Sequence, residues 1–308
     1  RIITVAGTNG KGSAVGATEA LLRAAGRRVG SYISPHLQRY NERVRLNGDD
    51  ISDDALVRAF EAVEAARGNV SLTYFEFGTL AAFVAFADSG LDDWVLEVGL
   101  GGRLDAVNVL DADFAILTSV DIDHVAFLGD NREVIGFEKA GVLRPGIPAV
   151  YADTDPPRSV LQQAAAQKIR LAMLGRDYQL SSEPQSGSGF PEVILDYENQ
   201  PVRLPAGPLP VKSMAAAVVA VRQLEPGLSV SAIEQVLGSL SVPGRFERLG
   251  SSPDVYLDVG HNPHAAEWLA GQLNSLKSSG RRVHAVYGAL ADKDVEGVGK
   301  AMAGVVDA

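Results

Sequence analysis

The chain has 308 residues, 46% of them apolar and 21% charged, enough to bury one large domain and part of a second. A net charge of −10 argues against nucleic-acid binding, which depends on neutralising phosphates; an anionic ligand would have to meet local devices such as backbone N–H groups, a few Lys and Arg, and metal ions. The lack of cysteine excludes disulfides, zinc–thiolate sites and thiol nucleophiles, and no apolar run is long enough to span a membrane, which leaves the cytoplasm as the default location.

Taken in chain order, short apolar strands alternate with amphipathic helices. Arg1 opens directly on a strand at 2–7, and a helix over 13–26 is closed by Gly26. A strand is expected at 28–34. The helix at 52–68 has Ser52 as N-cap, acids in its first turn and Gly68 as stop. A mostly apolar, buried helix covers 74–90, followed by buried strands at 94–99 and 114–121. A helix at 131–141, a strand at 147–152 and a helix at 157–167 continue the series. This alternation predicts an α/β fold with a mostly parallel sheet and helices on both faces.

The texture changes at 176–206, where Ser, Gly and Pro accumulate between short alternating runs; antiparallel hairpins or a mobile edge excursion both fit. A helical pair follows at 213–224 and 229–240. Residues 242–250 read as a connector, and a fresh β-α-β start covers 254–260, 264–276 and 282–290. This divides the chain into a first domain at 1–246 and the start of a second at 247–308. The chain ends inside an α/β unit, so both ends are expected to be cut.

The sharpest local signal is "GTNGKGS" at 7–13, between a strand and a helix. Glycines let backbone N–H groups approach a phosphate, and the helix N-terminus adds partial positive charge. Lys11 would meet the β and γ phosphates, and the Ser13 hydroxyl a Mg²⁺ ion. Gly12 separates Lys11 from Ser13, so this is a variant of G-x-x-x-x-G-K-[ST]. Ser34, Glu97 and, after Asp121 and Asp123, His124 each follow or end an expected strand, where open α/β sheets place ligand groups. A carboxylate there is expensive unless paired or bound to a cation. Residues 73–78 offer aromatic surface beside polar groups, suited to a flat ring, and Asp105 offers hydrogen-bond acceptors.

The loop at 7–13 resembles the ATP loop of the Mur-ligase superfamily. With it, "SPHLQRYNERVRLNG" (34–48), "EVGLGGRLDAVN" (97–108), "DHVAFLG" (123–129), "GFEKAGVLRPG" (136–146), "PGRFE" (243–247) and "LDVGHNPHAA" (257–266) match, in order, the folate branch of that superfamily, the dihydrofolate and folylpolyglutamate synthases. The resemblance implies a P-loop central domain and a Rossmann-like C-terminal domain, truncated here. It implies an ATP-dependent ligase that joins L-glutamate to dihydropteroate and to folates through an acyl phosphate. ATP would be held by Thr8, Asn9, Gly10, Lys11, Gly12, Ser13, Ser213, Arg245 and Asp258, with Ser213 where the family has a purine-contacting Asn. Ser13, Ser34, Glu97, His124 and Lys139 would hold two Mg²⁺ ions, Lys139 as a carbamate; K⁺ is a further candidate. Lys11, His124 and Lys139 would be the catalytic set. The pterin would lie between Thr73, Tyr74, Phe75 and Glu76 and Leu104, Asp105 and Ala106, and His261 would lie near the incoming glutamate or the nucleotide. Small-molecule substrates only, a monomer, and no membrane or nucleic-acid partner are expected. A different ligase on this scaffold fits the 34–48 and 97–108 strings poorly. A nucleotide switch would need N-K-x-D, which the chain lacks.

Overall fold

The computed structural model describes residues 1–182, 192–205, 207–277, 280–291 and 293–307. In chain order the first half comprises β1 (Ile2–Ala6), α1 (Lys11–Ala24), β2 (Val29–Tyr32), β3 (Val44–Leu46), β4 (Asp49–Asp50), α2 (Asp53–Arg67), α3 (Tyr74–Asp88), β5 (Asp93–Glu97), β6 (Phe114–Leu117), α4 (Val125–Leu128), α5 (Arg132–Ala140), β7 (Pro148–Tyr151), α6 (Arg158–Ala166) and β8 (Arg170–Met173). The sheet runs β4-β3-β2-β5-β1-β6-β7-β8, parallel from β2 to β8, with β3 and β4 added antiparallel at one edge.

The inner strands bury both faces, so their side chains alternate between two cores. Ile3, Val5, Val95, Phe114 and Ile116 face α1; Ala6, Leu96, Ala115 and Leu117 face the side of α2, α3, α5 and α6. Local chemistry sets the helix ends. Ser52 Oγ accepts from Ala55 N–H at 3.3 Å and Gly68 closes α2 with φ 55°.

The second half comprises β9 (Tyr178–Ser182), β10 (Val193–Tyr197), β11 (Gln200–Leu204), α7 (Val211–Leu224), α8 (Val230–Gly238), β12 (Glu247–Ser251), β13 (Asp254–Leu257), α9 (Pro263–Lys277) and α10 (Val295–Met302). The Ser/Gly/Pro-rich excursion is a three-stranded antiparallel sheet, β11-β10-β9, where it is described; residues 183–191 and 206 lie outside the described residues. Leu195, Tyr197, Val202 and Leu204 are its buried face, packed with α7 and α8 into the α1 core.

Three expectations need correction. Residues 282–290 form no strand, because a ladder needs a neighbour and β13 pairs with β12. Val286, Tyr287 and Leu290 there are exposed. The connector is partly β12, and β3, β4, β8, α4 and α10 were not legible as elements. Each is short, or joins the fold through pairing with distant chain, which local pattern does not carry.

Candidate active site

β1 lies between β5 and β6, so the turn leaving it is walled by the ends of both, with Val5 opposite Glu97 and Ala6 opposite Leu117. This is a switch point of the sheet, where α/β folds open a crevice. Gly7 has φ 149°, and a Cβ there would stand 1.9 Å from Thr118 Oγ1. The turn therefore hugs β6 only without a side chain. Thr8 N–H donates to Ser119 O at 2.8 Å, Asn9 N–H to Ser119 Oγ at 3.2 Å, and Asp121 N–H to Thr8 Oγ1 at 2.9 Å. Gly10, with φ 81°, starts α1 without a side-chain cap and without an acid in the first turn, so the helix N-terminus keeps its N–H groups and its positive end for a ligand.

This turn borders a cavity of about 360 Å³, lined by residues 8–13, Ser34, Glu97, Ser213, Arg245, Asp258, His261 and Trp268 among others. Ser13 is fully buried and its Oγ has no hydrogen-bond partner among the described residues. Glu97 is also buried, and accepts from Ser34 N–H at 3.0 Å. Burial pushes its carboxyl pKa up, opposed by the charges of Lys11 and Arg245. A buried orphan hydroxyl and a buried carboxylate oxygen are the donors a hard divalent cation prefers, so these residues fit one.

Lys11 Nζ donates to Gly7 O at 3.0 Å and Thr8 O at 3.1 Å; burial lowers its pKa, opposed by Glu97 and Asp123. Lys139 is no surface lysine. It is 4% exposed, its Nζ donates to the same Gly7 carbonyl at 2.9 Å, and burial, joined by the neighbouring Lys11 charge, lowers it to about 7. About half of its amine is thus neutral at pH 7. Gly102 makes room for it, since a Cβ there would meet Lys139 Cα at 3.1 Å.

His124 begins α4 in the left-handed region, φ 51°. Burial lowers its pKa, opposed by Asp123. Its ring comes within 4.8 Å of donor atoms of Asp123 and His261, a cluster able to hold a metal; Glu97 is not a member of it. His261 Nδ1 lies 2.9 Å from Val259 O and Nε2 3.9 Å from Asp123 Oδ2. Asp258 lines the cavity, but its two oxygens accept from Phe246 N–H at 2.8 Å and Gly260 N–H at 2.7 Å. Arg245 stands over Gly12, whose added Cβ would be 2.7 Å from Nη2, and Ser213 Oγ stands over Gly10.

The expected ring-binding residues have structural partners of their own, although α3 and the turn at 106–109 are in contact. Thr73 and Glu76 are a capping box for α3: Thr73 Oγ1 accepts from Glu76 N–H at 3.2 Å and Glu76 from Thr73 N–H at 2.7 Å. Thr73 and Tyr74 line a second cavity of about 650 Å³ with Tyr40, Phe60 and Phe77, while Phe75 turns to Gly99 and Tyr32. Asp105 spends its oxygens on Leu100 N–H at 2.9 Å and Val107 N–H at 3.0 Å, Leu104 is exposed, and Ala106 begins a 3-10 turn.

Sequence reasoning missed Asn262, His264 and Lys293. Asn262 and Asn9 exchange reciprocal amide hydrogen bonds at 3.0 and 3.2 Å, and Asn262 also donates to Asp123 at 2.9 Å. His264 lies 2.8 Å from Asn9 and Lys293 Nζ 3.5 Å from Asp123. Asn262 and His264 stand inside a string that resemblance had singled out; their partners, 139 to 255 residues away, are visible only in the fold.

A phosphate loop at the switch point of a parallel sheet, opposed by cations and strand-end oxygens and faced by residues from a second α/β start, defines a P-loop ligase of the Mur type. Residues 244–308 match the family model for the Mur ligase glutamate ligase domain. The dihydrofolate synthase/folylpolyglutamate synthase of Escherichia coli (strain K12) is 44% identical over 99% of this chain and 71% of its own length. The solved structure of E. coli FolC in complex with DHPP and ADP has a TM-score of 0.92 at 42% identity, over 99% of this chain and 72% of that one. A solved bifunctional folylpolyglutamate synthase/dihydrofolate synthase with Mn, AMPPNP and L-glutamate bound has a TM-score of 0.90 at 44% identity, over 100% and 73%. The chain belongs to the dihydrofolate synthase/folylpolyglutamate synthase family.

Proposed function

We propose that this chain uses ATP to join L-glutamate to dihydropteroate and to folates. The observation that carries the reading is the loop at 7–13, with its uncapped helix end, an orphan buried Ser13 hydroxyl and the buried Glu97 beside it. The family relationship and the ligands of the related structures support the same substrates.

A carboxylate is a poor electrophile. In the proposed reaction a substrate carboxylate oxygen attacks the γ phosphorus of ATP, the bond to the bridging oxygen breaks and ADP leaves. The glutamate amine then attacks the acyl carbon, phosphate departs with the C–O electrons, and the nitrogen gives up a proton. The loop N–H groups and Lys11 hold the phosphates, and Arg245 adds charge from the far wall. Ser213 and Asp258, which line the same cavity, are the proposed nucleoside contacts. Ser13, Ser34, Glu97 and His124 would hold Mg²⁺, which supplies charge neutralisation on the phosphates. Lys139 would complete a second site: its neutral amine adds to CO₂, a C–N bond forms as one C=O π bond opens onto oxygen, the nitrogen gives up one proton, and the amine becomes an anionic oxygen ligand. The residue's burial and a pKa lowered to about 7 support that change. K⁺ is a further candidate ion. His261, beside Asp123, is the proposed glutamate contact, and the ring of the acid substrate is placed between 73–76 and 104–106. Residues 1–246 and 247–308 are the proposed domains, and the enzyme is proposed to be a cytoplasmic monomer without nucleic-acid partners. No described helix is long and apolar enough to cross a membrane.

Phosphate release from Mg²⁺-ATP tests the reading. Release should require both dihydropteroate and L-glutamate. Release indifferent to dihydropteroate would point to a different ligase, and release indifferent to both substrates would remove the ligase assignment.

A further inference from the structure

One buried amide has no part in the reading above. Asn262 is 5% exposed and does not line the nucleotide cavity, whereas Asn9, to which it bonds, stands in the wall of that cavity. Burying a side-chain amide is costly unless both its N–H groups and its oxygen find partners.

All of them do. Asn262 directly precedes α9 and caps it: Oδ1 accepts from Ala265 N–H at 2.9 Å, and Pro263 takes the first helical position, where no N–H is needed. A backbone N–H can only donate, so the cap fixes which end of the amide is oxygen. Nδ2 then donates to Asp123 Oδ2 at 2.9 Å and to Asn9 Oδ1 at 3.0 Å. Asn9 is oriented in turn. Its Nδ2 donates back to Asn262 Oδ1 at 3.2 Å and lies 2.8 Å from His264 Nδ1, which makes that ring nitrogen an acceptor. The helix cap and the Asp123 carboxylate set the amide of Asn262, and that amide sets Asn9.

Asn9 sits at the point of the turn where orientation matters. On one side its backbone is tied to the end of β6: its N–H donates to Ser119 Oγ at 3.2 Å and its carbonyl accepts from the same hydroxyl at 3.4 Å. On the other side its amide is tied to Asn262. The next residue, Gly10, has φ 81° and opens α1, whose first residues line the cavity with their N–H groups uncapped. Without the Asn262 amide, the side chain of Asn9 would keep only the ring of His264, which is itself exposed.

We infer that Asn262 is a positioning residue of the nucleotide site: its amide, oriented by the α9 cap and by Asp123, holds Asn9 and so keeps the turn at 7–10 in the conformation that points the first N–H groups of α1 at phosphate. This rests on the proposed function and gives a role in it to a residue outside the cavity. Donors held in place beforehand bind an anion without the cost of ordering the turn, so the contribution appears as nucleotide affinity.

Asn262→Ser separates positioning from capping, because serine is an equally good helix cap but its hydroxyl is too short to reach Asn9 and Asp123. Dissociation constants for a non-hydrolysable ATP analogue with Mg²⁺ are measured by calorimetry on the full chain, alongside ligand-free thermal unfolding, for the native protein, Asn262→Ser, Asn9→Ala and the double variant. Asn262→Ser should weaken the analogue about tenfold, the worth of roughly one hydrogen bond, with little change in Tm. In the Asn9→Ala background the same substitution should cost less than about twofold, since Asn262 acts through Asn9. Asn262→Asp keeps the cap and the volume but removes both donors; it should lose at least as much affinity as Asn262→Ser and answers the same question if that variant unfolds. Native affinity in either folded variant would reduce Asn262 to a helix cap and overturn the inference. Equal losses with and without Asn9 would overturn it too, because the residue would then act by another route. A native protein that binds no nucleotide analogue would remove the proposed function itself instead.

Discussion

Replacing Lys139 by Met is the sharpest probe of the site, because it separates what the lysine does for the fold from what it does for the reaction. In the native protein burial lowers Lys139 from 10.5 to about 7. Between about pH 7 and 10.5 the unfolded chain carries a proton on this lysine that the folded chain lacks. Native stability must therefore rise with pH across that window, with a limiting slope of about 1.4 kcal/mol per pH unit. Integrated over the shift, the charged ammonium disfavours the fold below pH 7 by at most about 5 kcal/mol, against which stands one hydrogen bond to Gly7 O at 2.9 Å, worth about 1 kcal/mol. Met keeps the length and removes the charge. Lys139→Met should be more stable than the native protein at pH 6 by a few kcal/mol, and the gap should close as pH rises toward 10. Urea unfolding at pH 6, 7.5 and 9, in CO₂-free buffer without divalent ions, measures it. The same variant should lose activity by at least a hundredfold, and ¹³CO₂ should give a carbamate resonance in the native protein only. Parallel stability curves for the two proteins would refute the account of Lys139 as a buried, near-neutral amine.

Ser13→Ala removes a buried hydroxyl without a partner, so the ligand-free protein should gain up to about 1 kcal/mol in denaturant unfolding, while the rise in Tm produced by Mg²⁺-nucleotide should shrink sharply. Gly7→Ala drives a Cβ to 1.9 Å from Thr118 Oγ1 at φ 149°, and should lower stability by about 2 kcal/mol or more along with nucleotide affinity, read by thermal unfolding and calorimetry. Thr73→Ala breaks the capping box of α3 and should lower stability by about 1 kcal/mol. If Thr73 acts only as that cap, the KM for dihydropteroate should change less than twofold; a larger rise would assign its side chain to the substrate.

Much of this protein was legible without a structure. The runs at 2–7, 94–99 and 114–121 are too apolar for an exposed sheet, and their alternation with helical periods fixed a parallel sheet. The glycine spacing at 7–13 could serve one purpose, because a side chain at Gly7 would collide with the neighbouring strand. Ser52 and Gly68 marked the ends of α2 because caps and stops are matters of local hydrogen bonding. Ring chemistry was less readable: Thr73, Glu76 and Asp105 look like ligand groups in sequence, yet their oxygens are spent on nearby backbone N–H groups.

Only the tertiary structure decided the rest. Lys139 reads as a solvated helical lysine, and its pKa near 7 exists because β1 and α5, more than a hundred residues apart, close over it and desolvate it. Asn262 acquires its partners Asn9 and Asp123 by the same route. Local pattern specifies which residues can grip a phosphate or end a helix, since those interactions span a few bonds of chain. Burial and charge proximity are properties of space, and the sequence holds them only once the chain has folded.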